Sequence, residues 1–259
     1  MISLARVRKI FGPGTPDRRV ALNDVSFNFT SGEFVIVIGG NGAGKSTLLN
    51  AIAGSIRLDS GSIRFDDADI TGDSEERRAR HIARVFQDPM LGTAAHLTVE
   101  ENLTLAALRD RKPGWRAAIS SARSRLFRDR LALLQLGLED RLQSRVGLLS
   151  GGQRQALALT MATLNEPRLL LLDEHTAALD PHTSELVMRA TIDAITTFGL
   201  TALMVTHNMR HAIDTGTRLL MMDKGELRAD IDASEKKRLT IPDLIARFSL
   251  SDDKMLLSA

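Results

Sequence analysis

Cysteine and tyrosine are absent from this 259-residue chain, and tryptophan occurs once. Without thiols neither disulfides nor thiolate metal centres can form, which fits a reducing compartment. Aromatic residues make up only 4% of the chain, so the stacking platforms that grip single-stranded nucleic acid are scarce. Charge is not in excess on either side: 34 Lys+Arg against 32 Asp+Glu leave a formal net charge of +2. No nucleic-acid partner is expected. No apolar run approaches the roughly 20 residues that a membrane-spanning helix needs, and Met1 to Arg8 lacks the continuous apolar stretch of a signal peptide. The expectation is a cytosolic protein that reaches a membrane only through a partner. What is present, 43% hydrophobic and 25% charged residues, is the composition of a globular chain. Its length suffices for one large or two intimate domains.

The densest chemical signal is Gly39-Gly40-Asn41-Gly42-Ala43-Gly44-Lys45-Ser46, a full match to the phosphate-loop pattern G-x-x-x-x-G-K-[ST]. An apolar run, Phe34 to Ile38, precedes it, and helix-like residues from Thr47 to Ile52 follow. Glycines let successive backbone N–H groups turn toward an anion, and the following helix adds its positive end. Lys45 would reach the β- and γ-phosphates, and the Ser46 hydroxyl would ligate Mg²⁺. An ordinary glycine-rich turn is the competing reading, and the strand and helix on the correct sides weigh against it.

Two further segments end in polar side chains after apolar runs. Leu169-Leu170-Leu171-Leu172-Asp173-Glu174 reads as a buried parallel strand carrying carboxylates to its edge. Asp173 would hold Mg²⁺, and Glu174 would polarise the attacking water; a buried strand that stops at a solvated acidic turn is the alternative. Thr201 to Thr206 is a second such strand, ending at His207, whose imidazole can bond a γ-phosphate and the water. Pairing of His207 with His211 as metal ligands competes, without a third ligand in evidence. Gln87 follows a strand-like Ala83 to Phe86; its amide can ligate Mg²⁺ or orient water, and it can equally be a turn residue before Asp88-Pro89. The other histidines, His175 included, are expected at the surface or with satisfied partners. Ser150 to Gln153 is another small-residue loop opening a helix, expected over Arg154 to Leu164.

The first 32 residues read as strands with one long loop at Gly12 to Arg19, and Gly61 to Phe65 begins another strand pair. From Leu97 to about Leu142 helical spacing carries many charges, with a break at Pro113-Gly114. This basic stretch suits an anionic surface or, with Asp110 and Asp129 interspersed, a solvated helix pair. After it come helices from Pro181 and Asn208, a hairpin at Asp223-Lys224-Gly225 and a final helix at Thr240.

In this order the motifs resemble those of the nucleotide-binding subunit of ABC transporters. Gly39 to Ser46 is similar to Walker A, Gln87 to the Q-loop, Leu149-Ser150-Gly151-Gly152-Gln153 to the family signature, Leu169 to Glu174 to Walker B, Ala178-Leu179-Asp180 to the D-loop and His207 to the switch histidine. The resemblance spans most of the chain, and the signature separates it from other NTPases. It implies an α/β fold: a RecA-like P-loop core, an antiparallel β subdomain and an inserted α-helical subdomain. As one ATPase domain over 1–259, it would divide approximately into 1–86, 87–166 and 167–259. It also implies two copies, identical or pseudo-symmetric, packed head to tail around two ATP molecules. Each nucleotide would then touch Gly39, Asn41, Gly42, Ala43, Gly44, Lys45, Ser46 and Thr47 of one copy. The other copy would supply Ser150, Gly151, Gly152 and Gln153, with Asp180 at the same interface. Catalysis falls to Glu174, His207 and Gln87, and Mg²⁺ to Ser46, Gln87 and Asp173. Adenine would stack on an aromatic before Walker A, with Phe11 the choice and Phe27, Phe29 or a core role for Phe11 the alternatives.

The implied function is ATP hydrolysis that powers transport, on the cytoplasmic face of the cell membrane through separately encoded permease subunits and an extracytoplasmic substrate-binding protein. Import is expected over export, because exporters of the family often fuse this domain to a membrane span. Gln87 to Ala94 and Asp173 to Thr176 resemble an importer group linked with amino-acid-type substrates, aromatic ones among them. A soluble ABC ATPase of iron–sulfur assembly, translation or DNA repair is the alternative. His175 stands where proline or alanine is frequent, and the sequence offers no account of it.

Overall fold

The computed structural model describes residues 1–109 and 119–247. In chain order the elements are β1 (Ile2–Phe11), β2 (Arg19–Phe29), β3 (Phe34–Gly39), α1 (Lys45–Ala53), β4 (Ser60–Phe65), β5 (Ala68–Asp69), α2 (Glu75–Arg78), β6 (Ile82–Val85), α3 (Val99–Leu108), α4 (Ser121–Ala132), α5 (Gly151–Thr163), β7 (Leu169–Asp173), α6 (Pro181–Thr197), β8 (Thr201–Val205), α7 (Met209–Asp214), β9 (Arg218–Asp223), β10 (Glu226–Ile231) and α8 (Ala233–Lys236). They group into two compact units, Met1–Arg78 with Ala202 onward, and Ala79–Thr201.

In the first unit the alternating N-terminal segment forms an antiparallel sheet in the order β2-β1-β4-β5. Ile2, Leu4, Val7, Leu22, Val25 and Phe29 turn to its buried face. Pairing of β1 with β2 ends with Phe11 opposite Arg19. The second sheet of this unit is built on β3, every residue of which from Phe34 to Ile38 is buried, as a strand covered on both faces requires. It runs parallel to β8 on one side and to β9 on the other. A hairpin through Lys224 and Gly225 returns β10 antiparallel to β9. Behind β3, α1 buries Leu48, Leu49 and Ile52.

Two buried cations finish this unit. The Arg78 guanidinium donates to the carbonyls of Ala51 and Ile52 at 2.8 and 2.9 Å, and to those of Ile70 and Thr71. The first two belong to the last turn of α1, whose carbonyls have no partner inside the helix. The Lys236 ammonium does the same for α7, donating to the carbonyls of Ile213, Thr215 and Gly216. The last described helix covers 241–247. It is opened as expected by Thr240, whose N–H donates to Asp243 while its hydroxyl oxygen accepts from the Asp243 N–H.

In the second unit β6 and β7 are parallel neighbours, Val85 opposite Leu172, and helices α3 to α6 complete it. The buried Glu100 of α3 accepts from Ser124 of α4 and from Gln143 at 2.6 Å. In α4, Phe127 and Leu131 are fully buried, while the Arg130 guanidinium lies 4.3 Å from the Phe198 ring centroid. The described part of the basic stretch therefore holds two helices, α3 and α4, with one arginine of α4 spent on an aromatic face. Asp110, Arg111, Lys112, Arg116 and the break at Pro113-Gly114 lie outside the described residues. One boundary differs from expectation: α5 begins at Gly151, not Arg154. Ser150 caps the helix and Gln153 caps it in return, so the two glycines are already inside its first turn.

Candidate nucleotide site

In the first unit, the chain leaves β3 at Gly39 and enters α1 at Lys45 through two left-handed glycines, Gly42 and Gly44, at φ 81° and 99°. Gly44 cannot be replaced cheaply, because a Cβ there would lie 2.4 Å from the Ala21 carbonyl oxygen. A Cβ on Gly39 would lie equally close to the Met222 carbonyl oxygen. The loop is thus clasped between β2 and the end of β9, and the Gly225 N–H donates to the Ala43 carbonyl at 3.0 Å. Gly44 caps α1 with no side-chain acceptor, and the positive start of a helix is a favourable place for an anion. Lys45, 7% exposed, curls back over the loop and donates to the Gly39 and Gly40 carbonyls at 2.9 and 3.1 Å. Its ammonium therefore sits at the loop itself. Ser46 is exposed at the start of α1.

Val37 of β3 pairs with Val205 of β8, so the phosphate loop and His207 leave the carboxyl ends of adjoining parallel strands, where α/β sheets bind ligands. His207 is exposed, and Asn208 caps α7 behind it by accepting from the His211 N–H. Among the described residues no group of three or more His, Cys, Asp or Glu side chains is arranged to hold a metal, so none of these residue types joins His207 and His211 as a third ligand there. Phe11 is 42% exposed, whereas Phe27 and Phe29 are buried and stacked on each other. Opposite Phe11, Arg19 donates to the Gly42 carbonyl at 3.1 Å. Only Phe11 of the three aromatics has a face beside the loop to offer.

In the second unit the same strand logic holds. Gln87 lies two residues beyond β6, and Asp173 and Glu174 end β7, its parallel neighbour. The buried Gln155 donates to the Phe86 carbonyl at 3.0 Å and so fixes the backbone just before the exposed Gln87. Arg84, which the sequence reading did not single out, donates to the Asp173 carboxylate at 2.7 Å. Sequence alone could show Arg84 only as a charge inside a short apolar strand. Glu174 adopts φ 42°, a left-handed conformation for a non-glycine residue.

The signature opens α5 through a reciprocal pair: Ser150 Oγ accepts from the Gln153 N–H, and Gln153 Oε1 accepts from the Ser150 N–H, each at 3.2 Å. Ser150 and Gly151 are exposed, but Gly152 is buried. A Cβ on Gly152 would fall 1.9 Å from Thr183 Cγ2, while one on Gly151 would make an ordinary contact with Leu179. Asp180 caps α6 and accepts from the Thr183 N–H at 3.0 Å. That bonding from Thr183 holds the Asp180 carboxyl below the usual carboxylate range.

The family profile described as ABC transporter matches residues 22–177. The chain belongs to the ABC transporter family. As an ABC ATPase it binds and hydrolyses ATP with Mg²⁺, and its partners are a second ATPase subunit and membrane permease subunits. This ABC ATPase is 41% identical over 248 residues to the tyrosine transport ATP-binding protein of Clostridioides difficile, covering 96% of this chain and 98% of that one. It is 37% identical over 231 residues to the methionine import ATP-binding protein of Rhizobium etli, covering 88% of this chain and 60% of the relative. Among solved structures it resembles the ATP-binding cassette MJ0796, a dimer in a post-hydrolysis state bound to ADP and Pi. The TM-score is 0.77 at 29% identity, over 90% of this chain and 99% of that one.

Proposed function

We propose that this ABC ATPase powers the import of an amino-acid-type solute, aromatic by preference, through ATP-driven closure of a head-to-tail dimer. The observation that carries the substrate class is the 41% identity to a tyrosine transport subunit along nearly the whole of both chains. Lys45 and the first-turn amides of α1 hold the phosphates, Phe11 stacks on adenine, and Ser150 and Gly151 of the second copy meet the same nucleotide. Asp180 lies at that interface. Glu174 draws the proton of the attacking water, His207 bonds the γ-phosphate, and Gln87 orients the water. Hard oxygen donors suit Mg²⁺: the Ser46 hydroxyl, the Gln87 amide oxygen and the Asp173 carboxylate would hold it, and it supplies neutralisation of phosphate charge.

A membrane partner is supported by the surface near Gln87. Met90, Leu91 and Leu105 are exposed, beside a cleft of about 290 Å³ lined in part by Phe86, Pro89, Leu105 and Met161. No helix among the described residues is long and apolar enough to cross a membrane. In this proposal the subunit works at the cytoplasmic face, bound to its permease, while an extracytoplasmic binding protein selects the solute.

Uptake of labelled tyrosine, phenylalanine and a non-aromatic control by cells with and without the subunit tests the substrate class. Loss confined to the aromatic amino acids is expected; unchanged uptake of all three sinks that assignment. Glu174→Gln should lower ATP turnover by roughly 10²–10⁴-fold, the usual worth of a general base. The variant should keep ATP affinity and accumulate as an ATP-dependent dimer on size exclusion, whereas full turnover by a strictly monomeric chain would exclude the shared-nucleotide mechanism.

A further inference from the structure

His175 is 2% exposed and follows Glu174 directly. Its Nε2 lies 2.9 Å from Thr191 Oγ1, and Thr191, on α6 and itself fully buried, donates its hydroxyl proton to the Val187 carbonyl at 2.8 Å. A hydroxyl has one proton to give. With that proton on the carbonyl, Nε2 is the donor to Thr191 Oγ1, and the bond holds the imidazole in one orientation.

This bond closes a specific loop. Glu174 stands in a left-handed conformation, and its carbonyl accepts from the Ala177 N–H at 2.9 Å in the turn that follows. A strained non-glycine residue persists only where its surroundings over-determine it. One side of Glu174 is fixed by β7. On the other side nothing in residue type stiffens the backbone, since His175 is not a proline, and the fixation comes from a side chain reaching the interior of α6.

We propose that His175 is a positioning residue for ATP hydrolysis, its imidazole tethering the backbone of Glu174 to α6 through Thr191 so that the carboxylate keeps its working orientation. This rests on the reading of Glu174 as the group that acts on the attacking water. The imidazole touches neither nucleotide nor water in this scheme, and its effect passes through the glutamate alone. Displacement of a reacting group by about 1 Å can cost on the order of 10²-fold in rate.

Steady-state ATP turnover of the full chain tests the proposal. His175→Ala and Thr191→Val should each lower kcat roughly 10- to 100-fold while KM stays within about twofold, the signature of lost transition-state alignment without lost binding. The double variant should be no worse than either single one, since both cut the same tether. His175→Gln, whose amide can donate from the Nε2 position, and Thr191→Ser should recover most of the loss. If His175→Ala lowers the melting temperature and leaves kcat unchanged, or if His175→Gln folds and is as slow as His175→Ala, the tether does not position the glutamate. Glu174→Gln assayed alongside separates the two claims: retained turnover there overturns the role of Glu174. Lost turnover there with a normal His175→Ala overturns only the role of His175.

Discussion

Arg84 Nη2 lies 2.7 Å from an Asp173 carboxylate oxygen, and the two side chains are only 12% and 11% exposed. The carboxylate proposed above for Mg²⁺ thus already faces a guanidinium from the neighbouring strand. Replacing Arg84 by Met should take this guanidinium away from the largely buried Asp173 carboxylate. The expected cost is about 2–3 kcal/mol, less than the ~3–5 kcal/mol of breaking a fully buried pair. A cation bound at Asp173 would restore the balance, so Mg²⁺ with ATP should raise the melting temperature of Arg84→Met more than that of the parent. Equal increments in a thermal melt would show that the pair carries no such weight.

Adenine stacking gives a prediction in the first unit. Phe11→Ala should weaken ATP binding by roughly 1–3 kcal/mol, the usual worth of a base on an aromatic face. Phe11→Trp should preserve it. Titration with a fluorescent nucleotide measures both, and unaltered affinity in the alanine variant would move the adenine elsewhere.

The two signature glycines should separate in their tolerance. Gly152→Ala drives a methyl into Thr183, 1.9 Å away, and should cost about 1–3 kcal/mol as an overpacked contact. Thr183→Ser removes the offending carbon and should recover most of that. Gly151→Ala meets only an ordinary contact and should leave stability little changed while affecting dimer formation with ATP. Urea denaturation distinguishes the pair.

Capping acids set an acid limit. Hydrogen bonds from Thr183 lower the Asp180 pKa. For Asp232 the causes are the Glu235 N–H and then the Ser234 hydroxyl, and for Asp243 they are bonds from Thr240. Because the folded pKa is depressed, each contribution is fully present above the unfolded value of roughly 3.9. It disappears as pH falls through the lower, folded value. Melting temperature should therefore drop on acidification below about pH 4, and Asp180→Asn, which keeps a cap that does not titrate, should show a shallower drop. Identical acid profiles would remove Asp180 from the account.

The parallel strands, the phosphate loop and the acids at strand ends were legible because each is a local pattern. Four leucines before Asp173 or a glycine loop after Phe34 to Ile38 need no tertiary context to be read. Arg84, Arg78 and the His175–Thr191 bond were not legible, because each acts across the fold: nothing near Arg78 in sequence announces the last carbonyls of α1. The start of α5 was misread for the opposite reason. Glycines at 151 and 152 look like loop, whereas the reciprocal Ser150 and Gln153 caps start the helix ahead of them and close packing on Thr183 leaves Gly152 no room for a side chain.

Lys236 bonds the carbonyls of Ile213, Thr215 and Gly216, and so locks the far end of the helix that stands behind His207. A stretch of chain remote in sequence from every nucleotide motif is thereby wired into the support of His207. Trimming the protein back to its recognisable motifs would uncork that helix, and a shortened version lacking Lys236 should be judged a weakened motor rather than a minimal one.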